Sequence, residues 1–186
     1  MRKKGGSADR FQIPLMFAFR DSFEAHDSKK RIEERIDGER VLSGRVSLKR
    51  RGADESSLKY DLGLDLLALM NTIDLGSAID LTGMDQVSSS VLNYGLYDIS
   101  HLTSEEAGVD SMARDLAAAL IQHEPRLNSE TLNVERSADF DEVNQRIRFT
   151  VSCEMACKPL DVPIEFVAEI DVGSGKVQLT RLPVSA

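Results

Sequence analysis

The spacing of apolar residues changes character along this chain, first helical and then strand-like. From Ser56 to Ile73, the positions Leu58, Leu62, Leu66, Leu69, Met70 and Ile73 recur at the helical period and predict an amphipathic helix. Ser88 to Tyr94 predicts a second, short helix stopped at Gly95, which can adopt the left-handed conformation of a helix terminus. A third begins at Thr103-Ser104-Glu105-Glu106, a capping box that would satisfy the first free amides. Its stripe is Val109, Met112, Ala113, Leu116, Leu120 and Ile121, and it should run from about Ser104 to Gln122, because Pro125 forbids continuation.

Beyond Pro125 the period shortens to two. Leu132 and Val134 alternate with polar neighbours, and Val143, Gln145, Ile147, Phe149, Val151, Cys153 and Met155 line one side of a long strand broken only by Gln145. Ile164, Phe166, Ala168 and Ile170 make a third strand, and Val177 and Leu179 a fourth. Gly173-Ser174-Gly175 between them is a hairpin signal. Helices followed by a meander predict an α+β domain: about three helices packed on one face of a four-stranded, mainly antiparallel sheet.

Ahead of this domain lies an arm, giving a division into residues 1–53 and 54–186. It holds Phe11, Phe17, Phe19 and Phe23, then a charged stretch from Ser28 to Ile36 that predicts a helix with Ile32 and Ile36 on one face. Asp37-Gly38 and Ser43-Gly44 are turn signals, and Arg40 to Leu48 suits a short extended segment.

Charge sharpens this division. Residues 1–52 carry 14 Lys/Arg against 8 Asp/Glu, whereas residues 53–186 carry 9 against 23. The arm's bases are interleaved with acids, as in Lys29-Lys30-Arg31-Ile32-Glu33-Glu34-Arg35, which argues against nucleic acid because phosphate contacts need uncompensated positive charge. The arm suits a solvated face laced with ion pairs, or docking on an acidic surface. No apolar stretch approaches membrane-spanning length, and Phe11 to Phe19 is broken by Gln12 and Pro14, so a cytosolic protein is expected. Cys153 and Cys157, four apart in an extended segment, would lie about 13 Å apart, too far for a disulfide, and are read as buried thiols.

Little in the sequence points to catalysis. The corner His123-Glu124-Pro125-Arg126-Leu127 offers Glu124 as a carboxylate for glycoside hydrolysis, but Arg126 two residues away favours its ionised form and makes it a poor acid. A structural part suits the corner better. Pro125 fixes the bend, and Arg126 is a five-donor fork able to hold Glu124, helix carbonyls or a partner's acid. His26, His101 and His123 lack metal-ligand spacing. Asp98, Ser100 and His101 are crowded into one loop without a nucleophile elbow. Asn93 and Tyr94 end their helix either as a cap beneath a loop or as a contact surface. No cofactor is expected.

Three motifs in order carry a resemblance: Leu66 to Thr72 (LLALMNT), Ser90-Val91-Leu92-Asn93-Tyr94-Gly95-Leu96, and Glu124-Pro125-Arg126-Leu127 between a helix and a meander. Over about residues 54–182 the chain resembles the TssE subunit of bacterial type VI secretion systems, which is related to lysozyme-like baseplate-wedge proteins of contractile-tailed phages. It departs at Tyr97, where the family commonly has proline, and at His123, where it commonly has an aromatic residue. The resemblance implies a non-catalytic subunit in the cytoplasm beneath the inner membrane, in a wedge with TssF and TssG and near TssK. It would give the sheath subunits TssB and TssC a starting point by lending them a sheet edge. Glu124, Pro125, Arg126, Asn93 and Tyr94 become the expected partner-binding residues. The rival expectation is a peptidoglycan hydrolase acting through Glu124.

Overall fold

The computed structural model describes residues 52–98, 106–137 and 146–182 continuously, together with residues 11, 12, 17, 19, 20, 23, 26, 34–36 and 39–41 of the arm. The chain divides into two compact units, one of Met1–Leu58 with Lys158–Leu160, the other of Lys59–Cys157 with Asp161–Ala186.

In the first unit, Phe11 and Ala53 exchange backbone hydrogen bonds of 2.9 and 3.0 Å, and the Gln12 amide donates to the Lys158 carbonyl at 3.0 Å. Phe11 and Phe17 are buried, while Phe19 and Phe23 are exposed. The arm departs from expectation at its charged stretch. Glu34–Ile36 (β1) and Glu39–Val41 (β2) form an antiparallel hairpin, so the predicted helix does not reach Ile36. The Asp37-Gly38 turn signal falls between these strands. Helical periodicity over so short a segment is a weak signal, and pairing between β1 and β2 prevails. Residues 27–33 and 42–51 lie outside the described residues, as does most of the segment expected to extend from Arg40 to Leu48.

The second unit is built on the meander. β3 (Asn133–Arg136), β4 (Arg146–Met155), β5 (Val162–Asp171) and β6 (Val177–Thr180) pair antiparallel in sequence order. Burial alternates along β4 and β5: Ile147, Phe149, Val151, Cys153 and Met155 are buried, as are Val162, Ile164, Phe166, Ala168 and Ile170. Phe149 faces Ala168 and Cys153 faces Ile164, so at these two of the five buried pairs a small residue makes room for a large one. The other face carries ion pairs such as Arg146 to Glu169 at 3.1 Å. Asp171 accepts from the Ser174 amide at 2.9 Å to close the β5–β6 turn, with Gly175 at φ +67°. Cys153 is buried and free, and burial pushes its thiol pKa up to about 11; Cys157 lies beyond the end of β4, half-buried and also free.

Helices α1 (Glu55–Met70) and α3 (Glu106–His123) supply the apolar stripes for this sheet, through Leu62, Leu66, Leu69 and Met70 and through Val109, Met112, Leu116 and Leu120, all buried. Ile73 and Ile121, expected on those stripes, are instead 62% and 51% exposed. Ile73 lies past the end of α1, and Ile121 follows Leu120 directly, so its side chain turns off the stripe by about 100°. The capping box of α3 and the Val143 to Gln145 start of the long strand fall outside the described residues.

The short helix expected from Ser88 to Tyr94 is two separate turns, α2 (Asp85–Ser88) and a 3-10 turn at Val91–Asn93. Ser88, Ser89 and Ser90 bond backbone carbonyls with their own hydroxyls here, a competition that breaks helices at serine runs.

Candidate functional site

The corner after α3 is fixed on both sides. The Glu124 amide continues the helical ladder to the Leu120 carbonyl at 2.9 Å, and the Leu127 amide turns back to the Glu124 carbonyl at 3.1 Å. Arg126 and Asn128 then pair with the far end of β4: the Arg126 carbonyl accepts from the Ala156 amide at 2.7 Å, and the Asn128 amide donates to the Glu154 carbonyl at 2.9 Å. Pro125 is exposed at the apex while Glu124 is only 6% exposed.

A carboxylate this buried needs partners, and Arg126 provides them. Its Nε donates to Glu124 Oε1 at 2.6 Å and its Nη2 to Glu124 Oε2 at 2.5 Å, a side-on bidentate pair; the Arg126 amide adds a bond to Oε1 at 3.2 Å. Nη2 also reaches Asp65 Oδ2 on α1 at 2.6 Å. Burial disfavours the guanidinium charge, but the hydrogen bonds and charges of Glu124 and Asp65 outweigh it and raise the Arg126 pKa above its ordinary value. Of the openings the sequence left for Arg126, the fork closes on two carboxylates of its own chain.

Asp65 is the member that sequence reasoning missed. Two hints were present: Asp61 and Asp65 lie four apart, on one side of a helix otherwise rich in leucine, and an arginine fork has donors to spare after gripping one carboxylate.

Tyr94 completes the neighbourhood. Its hydroxyl donates to the Asp65 carbonyl at 3.4 Å, and its ring meets His123 edge to face with centroids 5.3 Å apart. Burial, then the charges of Asp65 and Glu124, push its phenol pKa up, so the hydroxyl remains a donor. His123 thus presents a flat ring where the resembled family has an aromatic residue. Asn93 stands apart from this group and stitches the loop: its Oδ1 accepts from the Gly76 amide at 2.8 Å and its Nδ2 donates to the Ser88 carbonyl at 3.1 Å.

Gly95 differs from the expected helix-terminating glycine. Its φ is +139°, outside the left-handed helical well, and an added Cβ would lie 2.5 Å from the Thr72 carbonyl oxygen. The close approach follows from a parallel bridge in which the Leu96 amide donates to Thr72 at 2.8 Å and the Asp74 amide to Leu96 at 2.9 Å. The two motifs LLALMNT and SVLNYGL are therefore sewn together, backbone to backbone. Asn71 ties the first of them to β6: its Oδ1 accepts from the Val177 amide at 3.1 Å, and its Nδ2 donates to the Val177 carbonyl at 3.0 Å.

These contacts join all three motifs in one unit, and comparison with known families identifies what they mark. The baseplate wedge protein gp25 family matches residues 56–160, more than half of the chain. The chain belongs to that family. A search of curated proteins returns no match. Membership in the baseplate wedge family gives the chain a structural place among other baseplate components. Among the described residues, no helix is long and apolar enough to cross a membrane, and no group of three His, Cys, Asp or Glu could hold a metal ion.

Proposed function

We propose that this protein is a non-catalytic subunit of a type VI secretion baseplate wedge, cytoplasmic and assembled with TssF and TssG near TssK, that helps to start the contractile sheath of TssB and TssC. Membership in the baseplate wedge family carries this reading. The corner supports it, because Arg126 engages both oxygens of the buried Glu124, a bidentate pair that ties the carboxylate to its own chain.

In this reading the exposed Pro125 is the apex presented to the neighbouring wedge subunits, held rigid by the Glu124–Arg126 pair beneath it, with Tyr94 packed at the corner and Asn93 fixing the adjoining loop. The sheath adds strands to the sheet by backbone pairing at β3. At the opposite margin, β6, the outward-facing amide and carbonyl of Val177 are already bonded to Asn71.

Expressing the chain with Pro125→Ala in a secreting strain tests the apex, since that exposed side chain leaves the salt bridge in place. We expect the variant to fold, with weakened co-purification of TssF and TssG and fewer sheaths by fluorescence microscopy. Normal wedges and sheaths would remove the apex from the interface. Release of soluble peptidoglycan fragments by the purified protein, abolished in Glu124→Gln, would replace the structural reading with a hydrolase.

A further inference from the structure

Residues 71–98 expose far more apolar surface than a connecting loop requires. Ile73, Ile79, Met84, Val91, Leu92 and Tyr97 are between 49% and 82% exposed, six large apolar side chains within 28 residues. Isolated exposed leucines are ordinary on protein surfaces, but six within one short segment, with Val91 and Leu92 adjacent, are more than scattered single residues.

The segment is also held firmly in shape. Asn93 bonds the turn at Gly76 to the end of α2 at Ser88, and Ser77 Oγ accepts from the Asp98 amide at 2.8 Å. The Ile73–Leu96 bridge closes its two ends on each other. Gln122 of α3 donates to the Ser88 carbonyl at 2.9 Å, which anchors the segment to the helix leading into the corner. Its apolar groups are thus displayed on a fixed frame, which lowers the ordering cost of an encounter.

Charge identifies the visitor. Residues 71–98 contain Asp74, Asp80, Asp85 and Asp98 and not one lysine or arginine, and the surrounding stretch from Tyr60 to Ala113 has no lysine or arginine either. Asp80 and Asp85 are exposed beside Ile79 and Met84. An apolar surface set in so acidic a stretch is complementary to a segment with leucine-like side chains on one face and lysine or arginine around them.

We infer that the 71–98 surface is a docking site for a cationic amphipathic helix of a partner protein. Apolar side chains supply the affinity, and the carboxylates select for basic sequences and speed the encounter.

The test uses the full chain and a designed leucine/lysine amphipathic helix as probe, followed by fluorescence anisotropy and by amide chemical shifts. Binding should perturb residues 71–98 foremost. Val91→Ser with Leu92→Ser, at positions 82% and 68% exposed, should leave thermal unfolding unchanged while weakening the probe about tenfold or more. Asp80→Asn with Asp85→Asn should weaken it by about three- to tenfold and flatten its salt dependence. Three results would overturn the inference: equal binding of a serine/lysine helix without leucine, shifts centred elsewhere, or self-association of the free chain that Leu92→Ser abolishes. The last would make a second copy the occupant.

Discussion

The meander and the irregular segments at 71–98 and 123–128 hold their shapes in opposite ways. β4 and β5 meet through ten facing pairs, each one of many similar contacts, so the stability of the sheet is spread along its length. Between α1 and β3, the turns at 71–98 and the corner at 123–128 depend on individual groups. Asn93 through its bond to the Gly76 amide, Gly95 through its close approach to Thr72, and Arg126 through its reach to Asp65 each hold a specific point. Repetition tolerates loss gradually, whereas a unique contact fails as a whole.

The largest effect should come from the sheet's centre. Phe149→Ala removes a side chain with no exposed area and is expected to cost about 3–5 kcal/mol, read from urea unfolding, while the salt bridge at the corner persists until the whole unit unfolds. A loss below about 1 kcal/mol would mean that the buried face repacks freely and that the sheet and the corner differ less than their architectures suggest.

Arg126→Ala comes next. It leaves Glu124 buried without its bidentate partner, and partial exposure of Arg126 at 21% and Asp65 at 33% reduces the cost to about 2–3 kcal/mol. Adding Glu124→Leu to Arg126→Ala should recover part of that loss by removing the stranded charge. If the second change costs further stability instead, the salt bridge is not what fixes Glu124.

The third is Gly95→Ala, at about 1–3 kcal/mol from the disfavoured φ alone, to which the close approach of the Thr72 carbonyl oxygen adds. Hydrogen exchange should show this loss concentrated at Leu96 and Asp74, with the amides of β4 and β5 still protected. Uniform loss of protection would mean that the stitched region and the sheet unfold as one.

The same contrast explains what could be read in advance. Alternation in Ile147 to Met155 is repeated five times over, and it identified β4, its buried face and the meander around it. The stripe from Val109 to Leu120 was equally legible. The charged arm was not, because Arg31 to Ile36 offers helical spacing over little more than one turn, and the hairpin pairing with Glu39–Val41 depends on contacts that periodicity does not register. At the corner, Glu124 and Arg126 were found because they are two residues apart, while Asp65 is 61 residues from Arg126 and came into view only with the fold. Gly95 was marked as special for the wrong reason: sequence indicates that a glycine is needed but not which backbone crowds it.

Asn71 has a consequence for the lone chain at high concentration. Open sheet margins invite copies of the same protein to stack into insoluble ribbons. A strand approaching β6 from another copy would meet Val177 with both main-chain groups taken, and would have to pull the α1 terminus away before it could pair. The amide side chain at the end of a helix therefore stands in the way of a strand that would pair at Val177.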